Sequence, residues 1–136
     1  MTTLTFEDIK DDFDFLDDWV DRYRFIIDLG KSYAALPEEL RSDGIKVDGC
    51  ASQVWILPKI ENSAFSFQGA SDAMIVQGLI AVLAALYNGE NVAKALDINA
   101  IEAFTELGLD QHLSAQRSNG LRSMIARIGS FLEENS

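Results

Sequence analysis

The 136-residue chain carries 22 acidic side chains against 11 basic ones, a formal charge of −11, and 48% of its residues are apolar. That composition suits a single domain, 1–136, with a proper core, while so acidic a surface repels nucleic acid and anionic membranes alike. A single cysteine excludes an internal disulfide and every multi-cysteine zinc pattern, and no apolar run approaches the ~18 residues of a membrane span.

Met1 to Lys10 carries acids early and lacks the basic-then-apolar layout of a secretory signal. The expected compartment is therefore the reducing cytoplasm, where a lone thiol stays free. Thr5-Phe6-Glu7-Asp8 is a near capping box, and Phe6, Ile9, Phe13 and Leu16 recur at helical spacing to about Asp17. A second helix carries Trp19, Tyr23, Ile26, Ile27 and Gly30 on one face and reaches about Tyr33. Leu36-Pro37-Glu38-Glu39 and Ser42-Asp43-Gly44 then punctuate a loop.

After this loop the period changes from about four to two. Gln53 to Ile60 reads as a strand with Val54 and Ile56 on one face and Trp55 and Leu57 on the other. Glu61-Asn62-Ser63 makes a turn, and Ala64 to Gly69 alternates Phe65 and Phe67 against Ser66 and Gln68, which completes a hairpin. Ile45-Lys46-Val47 is a candidate third strand. Trp55 is expected in the core.

Ser71-Asp72 is placed to cap a central helix with the stripe Ile75, Leu79, Val82, Leu83 and Leu86, ending at the left-handed pair Asn88-Gly89. Short helical pieces at Val92 to Leu96 and Ala100 to Leu107 follow, the second stopped by Gly108. Ser114 caps a last helix with Leu121, Met124, Ile125, Ile128 and Leu132. Helices, one small antiparallel sheet, then helices again predict an α+β fold. Gly78 and Gly120 fall inside helices, where close backbone packing against a neighbour would account for them.

Cys50 lies in Val47-Asp48-Gly49-Cys50-Ala51-Ser52, directly before the long strand. Free cysteines commonly act as small buried hydrophobes. Here Asp48, Gly49 and Ser52 are turn formers rather than core packers, and Gly49 removes a side chain beside the sulfur so that a second macromolecule could approach. Asp48 would disfavour a thiolate, and Lys46 would favour one. The residues alone leave three readings open. Cys50 is inert in a pure interaction module, or it pairs with the one histidine, His112, in a small hydrolase, or it transfers sulfur. Hydrolysis also asks for an orienting group and an oxyanion hole. Sulfur transfer needs only an accessible thiolate that attacks the outer sulfur of a donor persulfide.

Val47-Asp48-Gly49-Cys50-Ala51-Ser52-Gln53-Val54-Trp55 resembles the V-x-G-C-x-S-x-V-W signature of SufE-family proteins. Ser71 to Leu79 is similar to that family's central helix start, and Leu109 to Leu121 to its H-L-S-x-x-R-x-x-G-L block. With Arg22-Tyr23 and Leu29-Gly30, the likeness runs from about Phe6 to Phe131. Ala51 departs from the polar residue often found at its place. The resemblance implies a curved antiparallel sheet with helices packed on it, related to the IscU scaffold fold. It implies that Cys50 takes sulfur from a SufS-type cysteine desulfurase, stimulates that enzyme, and passes sulfur to a SufBCD-type scaffold. Pyridoxal phosphate would belong to the desulfurase, with no cofactor or metal on this chain. Because a cluster needs about four thiolate or imidazole ligands, one cysteine favours relay over scaffold. The resemblance also places Asp72 and Arg117 near the cysteine loop, and it allows the cysteine to lie inward at rest. Taken without it, Asp72 is an acid in a helix's first turn, where the helix dipole favours it, whereas Arg117 opposes that dipole and should be held by an acid or a partner.

Overall fold

The computed structural model describes residues 5–136, so residues 1–4 of the N-terminal stretch considered above lie outside the described residues. Helix α1 (Phe6–Phe15) opens on a complete capping box, Thr5 Oγ1 accepting from Asp8 N and Asp8 Oδ2 from Thr5 N, each at 3.1 Å. It ends two residues before the expected Asp17. Asp18 caps α2 (Trp19–Ser32) by accepting from Val20 N at 2.9 Å. Ile9, Phe13, Ile26 and Gly30 bury the faces read from the periodicity, and Leu29, not part of that reading, is buried with them.

The hairpin pairs β1 (Val54–Glu61) with β2 (Ala64–Ser71), in a register running from Val54 opposite Ser71 to Glu61 opposite Ala64. Glu61 thus belongs to the strand, and the connection is the two-residue turn Asn62-Ser63. Its φ values of 52° and 67° match the twist-compatible mirror-image turn. Val54, Ile56, Phe65 and Phe67 face the core. The third strand does not form: Asp43–Ile45 is a 3-10 turn, followed by a lone bridge from Lys46 to Trp55.

A two-stranded ribbon has two open edges, and the outer edge of β2 is filled group by group. Phe65 N donates to Glu90 O at 2.7 Å, and Phe67 N donates to Asn88 Oδ1 at 3.0 Å. Gly69 N reaches the Tyr33 hydroxyl at 3.2 Å, and Ser71 N reaches Gln77 Oε1 at 2.8 Å. No long unpaired edge is left there for another chain to extend. Asn88 does this in extended conformation, and only Gly89, at φ 93°, takes the left-handed turn expected of both.

Helix α3 (Met74–Tyr87) runs through the centre, with Ile75, Leu79, Ile80, Val82 and Leu83 buried. Gly78 lets α2 cross α3 closely, because a Cβ there would collide with the Ile26 carbonyl. A Cβ on Gly30 would in turn lie 2.7 Å from Gly78 N. The packing explanation for Gly78 holds. Helices α4 (Val92–Asp97) and α5 (Ala100–Glu106) are short, and left-handed Gly108 (φ 75°) stops the second. Helix α6 (Ala115–Glu134) is capped by Ser114 Oγ, which accepts from Arg117 N at 3.2 Å. It buries Leu121, Met124, Ile128 and Leu132. The α+β expectation is met, with helices packed on a small antiparallel hairpin. Among the described residues, no helix is long and apolar enough to cross a membrane.

Candidate functional site

The cysteine loop is tied at its base and laid against α6. Val47, a buried anchor, donates its N–H to Val54 O at 2.8 Å and so closes the loop where β1 begins. Asp72 forms the second tie: its Oδ1 accepts from Gln53 N at 3.0 Å, and its own N–H donates to Gln53 O at 3.3 Å. This corrects the expected capping role of Ser71-Asp72. The N-cap of α3 is Ala73, with no side-chain bond, because Ser71 is still paired as the last residue of β2. Ser71 Oγ instead accepts from Ala73 N at 3.2 Å.

Gly49 carries the chain over α6 at φ 88°, a conformation costly for a residue with a side chain. A Cβ there would sit 2.6 Å from Ser123 Oγ, so the space beside Gly49 is taken by the chain's own last helix. Gly49 is nonetheless exposed, so its open side still faces solvent. Gly120, one turn before Ser123, serves the sulfur directly: Cys50 Sγ donates to Gly120 O at 3.6 Å, and a Cβ on Gly120 would lie 3.4 Å from that sulfur. Gly120 and Ser123 stand at i and i+3, hence on one face of α6. Their helical spacing was legible, but the loop they receive was not.

Cys50 is half-buried at a cleft of about 400 Å³ between the loop, the start of α3 and the start of α6. Ser52, Val76, Gln116, Arg117 and Met124 share its walls. Burial, and secondarily the negative charge of exposed Asp48, push the Cys50 thiol above its ordinary pKa. The resting sulfur is therefore a protonated thiol at neutral pH.

Of the residues singled out from the sequence, Ser52 and Arg117 line the Cys50 cleft, Asp48 acts on the thiol through its charge, Gly49 precedes Cys50 in the loop, and Asp72 ties the loop's far end at Gln53 without lining the cleft. Arg117 is exposed at the cleft, and among the described residues its guanidinium makes no hydrogen bond or ion pair with any acid. His112 stands elsewhere. Its ring stacks on Trp19, with centroids 3.6 Å apart and planes 16° apart, and it does not line the cleft. A Cys50–His112 pair, which needs hydrogen-bond reach between thiol and base, finds no support in this arrangement. Trp55 is also corrected. It lies on the outer face of the hairpin, half-buried, with the Arg41 guanidinium 5.5 Å from its ring centre. Among the described residues no group of three or more histidine, cysteine or carboxylate side chains is arranged to hold a metal ion.

Comparison with known proteins agrees with this architecture. A SufE-like protein of Rhizobium meliloti (strain 1021) is 47% identical over 98% of this chain and 96% of its own length. The sulfur acceptor protein CsdE of Escherichia coli (strain K12) is 40% identical over 93% of this chain and 87% of its own. The solution structure of a hypothetical protein from Thermus thermophilus superposes with a TM-score of 0.77, covering 98% of this chain and 97% of that one, at 15% identity, and so shares the fold. The family described as "SufE: Fe-S metabolism associated domain" matches residues 7–132, and the chain belongs to the SufE family.

Proposed function

We propose that this protein is a sulfur acceptor and relay whose Cys50 takes a persulfide sulfur from a cysteine desulfurase and hands it on for iron–sulfur cluster assembly. The observation that carries this reading is the setting of Cys50, a thiol facing an open cleft with no histidine beside it. Such a site suits a displacement at sulfur and lacks the base that acyl transfer requires. The name borne by the Escherichia coli relative, sulfur acceptor protein, points the same way.

In this reading Cys50, once deprotonated, attacks the outer sulfur of the donor's persulfide. The new bond joins Cys50 Sγ to that sulfur, the old sulfur–sulfur bond breaks, and the donor cysteine leaves as a thiolate. Oxidation states balance within the pair, so no external oxidant is required. Because burial holds the resting Cys50 protonated, the donor surface must supply the charge or the solvation that frees the proton. Removing the persulfide returns the donor to its reactive form, which accounts for stimulation of its turnover. The pyridoxal phosphate that liberates sulfur belongs to the desulfurase, of the SufS type, and the receiver is a SufBCD-type scaffold. A free thiol of this kind persists in a reducing compartment such as the cytoplasm.

The test is intact mass after incubation with a cysteine desulfurase and free cysteine. The chain should gain one sulfur atom that a thiol reductant removes, and Cys50→Ser should gain none. A wild-type mass that never changes, with the desulfurase demonstrably turning over, refutes the proposal.

A further inference from the structure

Resting on the sulfur-acceptor reading above, we propose that the Cys50 cleft also accepts sulfur directly from small carboxylate-bearing persulfides, such as cysteine persulfide, with Arg117 anchoring the carboxylate. A protein donor needs to insert only the tip of one side chain, yet the cleft holds about 400 Å³. That volume lies within the range of roughly 300–1,000 Å³ typical of small-molecule sites.

The charge of the walls is opposite to that of the molecule. In a chain with a net charge of −11, Arg117 is the one charged residue among those lining the cleft. Its guanidinium makes no hydrogen bond, ion pair or ring contact among the described residues, so its planar fork is free for a carboxylate. The Ser52 and Gln116 side chains also line the cleft and make no hydrogen bond within the described chain, which leaves them for the ammonium or amide of the donor. Val76 and Met124 offer an apolar wall for its methylene.

The step balances. Cys50 loses its proton to solvent, its thiolate bonds to the sulfane sulfur of R–S–SH, and the R–S group departs as a thiolate that is reprotonated. One sulfane sulfur changes owner, and nothing is net oxidised or reduced.

Four reactions test the idea, each read by intact mass against time: the protein with desulfurase and cysteine, with cysteine persulfide alone, with an uncharged alkyl persulfide, and Arg117→Gln with both small donors. We expect cysteine persulfide to load one sulfur onto Cys50 without any desulfurase. We also expect it to outpace the uncharged donor by about tenfold, the scale of one charge-assisted contact. Arg117→Gln should erase that preference, so that both small donors load at similar rates, and a thermal melt like the parent's shows that the variant is folded. Loading by desulfurase but not by cysteine persulfide overturns the inference and leaves the relay reading standing. Equal rates for the two small donors on the parent, or a preference that survives Arg117→Gln, likewise overturn it. Failure of the desulfurase arm removes the reading beneath it.

Discussion

Gly120→Ala should make the protein more stable and its thiol less reachable at once. Gly120 lies within α6, where glycine costs ~1 kcal/mol relative to alanine through backbone entropy. The added methyl would stand 3.4 Å from Cys50 Sγ, 3.7 Å from its Cβ and 3.8 Å from its Cα, which is ordinary contact rather than collision. Each such contact adds only ~0.1–0.2 kcal/mol, so the helix term dominates and the net gain is about 1 kcal/mol. For a domain of this size that raises the melting temperature by about 3–5 °C. The same methyl occupies the cleft beside the nucleophile, and displacing an incoming reagent by about 1 Å can cost up to ~100-fold in rate. Iodoacetamide alkylation of the isolated protein should slow by about tenfold, a stability gain bought with reactivity. A lower melting temperature would mean that loop and helix already touch hard. Unchanged alkylation at higher stability would mean that Cys50 reacts only away from its seat on α6, and the steric reasoning would be wrong.

Alkylation of Cys50 should rise with pH along a curve whose midpoint lies above that of free cysteine, because burial and then Asp48 both penalise the thiolate; Asp48→Asn should move the midpoint down without normalising it. By the same shift, folding stability should decline as pH climbs from the ordinary thiol range through the pKa of folded Cys50, since the unfolded chain releases its proton first. Gly78→Ala should destabilise by about 3 kcal/mol or more, because the added Cβ meets the Ile26 carbonyl, a backbone group that cannot turn aside; an unshifted urea midpoint would contradict the close α2–α3 crossing. His112→Ala should leave desulfurase-dependent sulfur loading intact while costing about 0.5–1.5 kcal/mol from the lost stack on Trp19; loss of loading in a folded variant would reopen the hydrolase-like pairing. Adding a cysteine desulfurase should speed alkylation of the half-buried thiol, and equal rates with and without it would show that no opening of the loop is needed.

What the sequence disclosed is what nearest neighbours along the chain decide. The Ile9–Phe13 spacing, the Thr5 and Ser114 caps and the alternation through Phe65 and Phe67 each depend on residues within a few positions, and each appears as read. The errors share the opposite property. Ser71-Asp72 before an apolar run looks like a cap, but pairing of Ser71 with Val54 extends β2 and frees Asp72 to hold Gln53. Alternation placed Trp55 on one face without showing that a two-stranded ribbon buries only the other face. Gly49 was seen to need an absent side chain, but its neighbour is Ser123, from a helix far along the chain. The family signature singled out Cys50, while the geometry around it came only from the fold.

The seat of Cys50 also bears on how reactive its thiol is when the protein is alone. The contact at 3.6 Å runs from sulfur to the carbonyl oxygen of Gly120, and only the protonated form can donate there. A thiolate in the same place would face the negative end of that carbonyl dipole, within a half-buried pocket and near Asp48. Losing the proton therefore weakens the hold on the loop, and the two ties at its base, Val47 N to Val54 O and Asp72 to Gln53, leave residues 48–52 between them as the part able to respond. Ionisation thus removes the hydrogen bond that holds the sulfur to α6. On the proposed sulfur-acceptor reading, a partner that stabilises the thiolate would also draw the sulfur outward, and reactivity would be confined to that encounter.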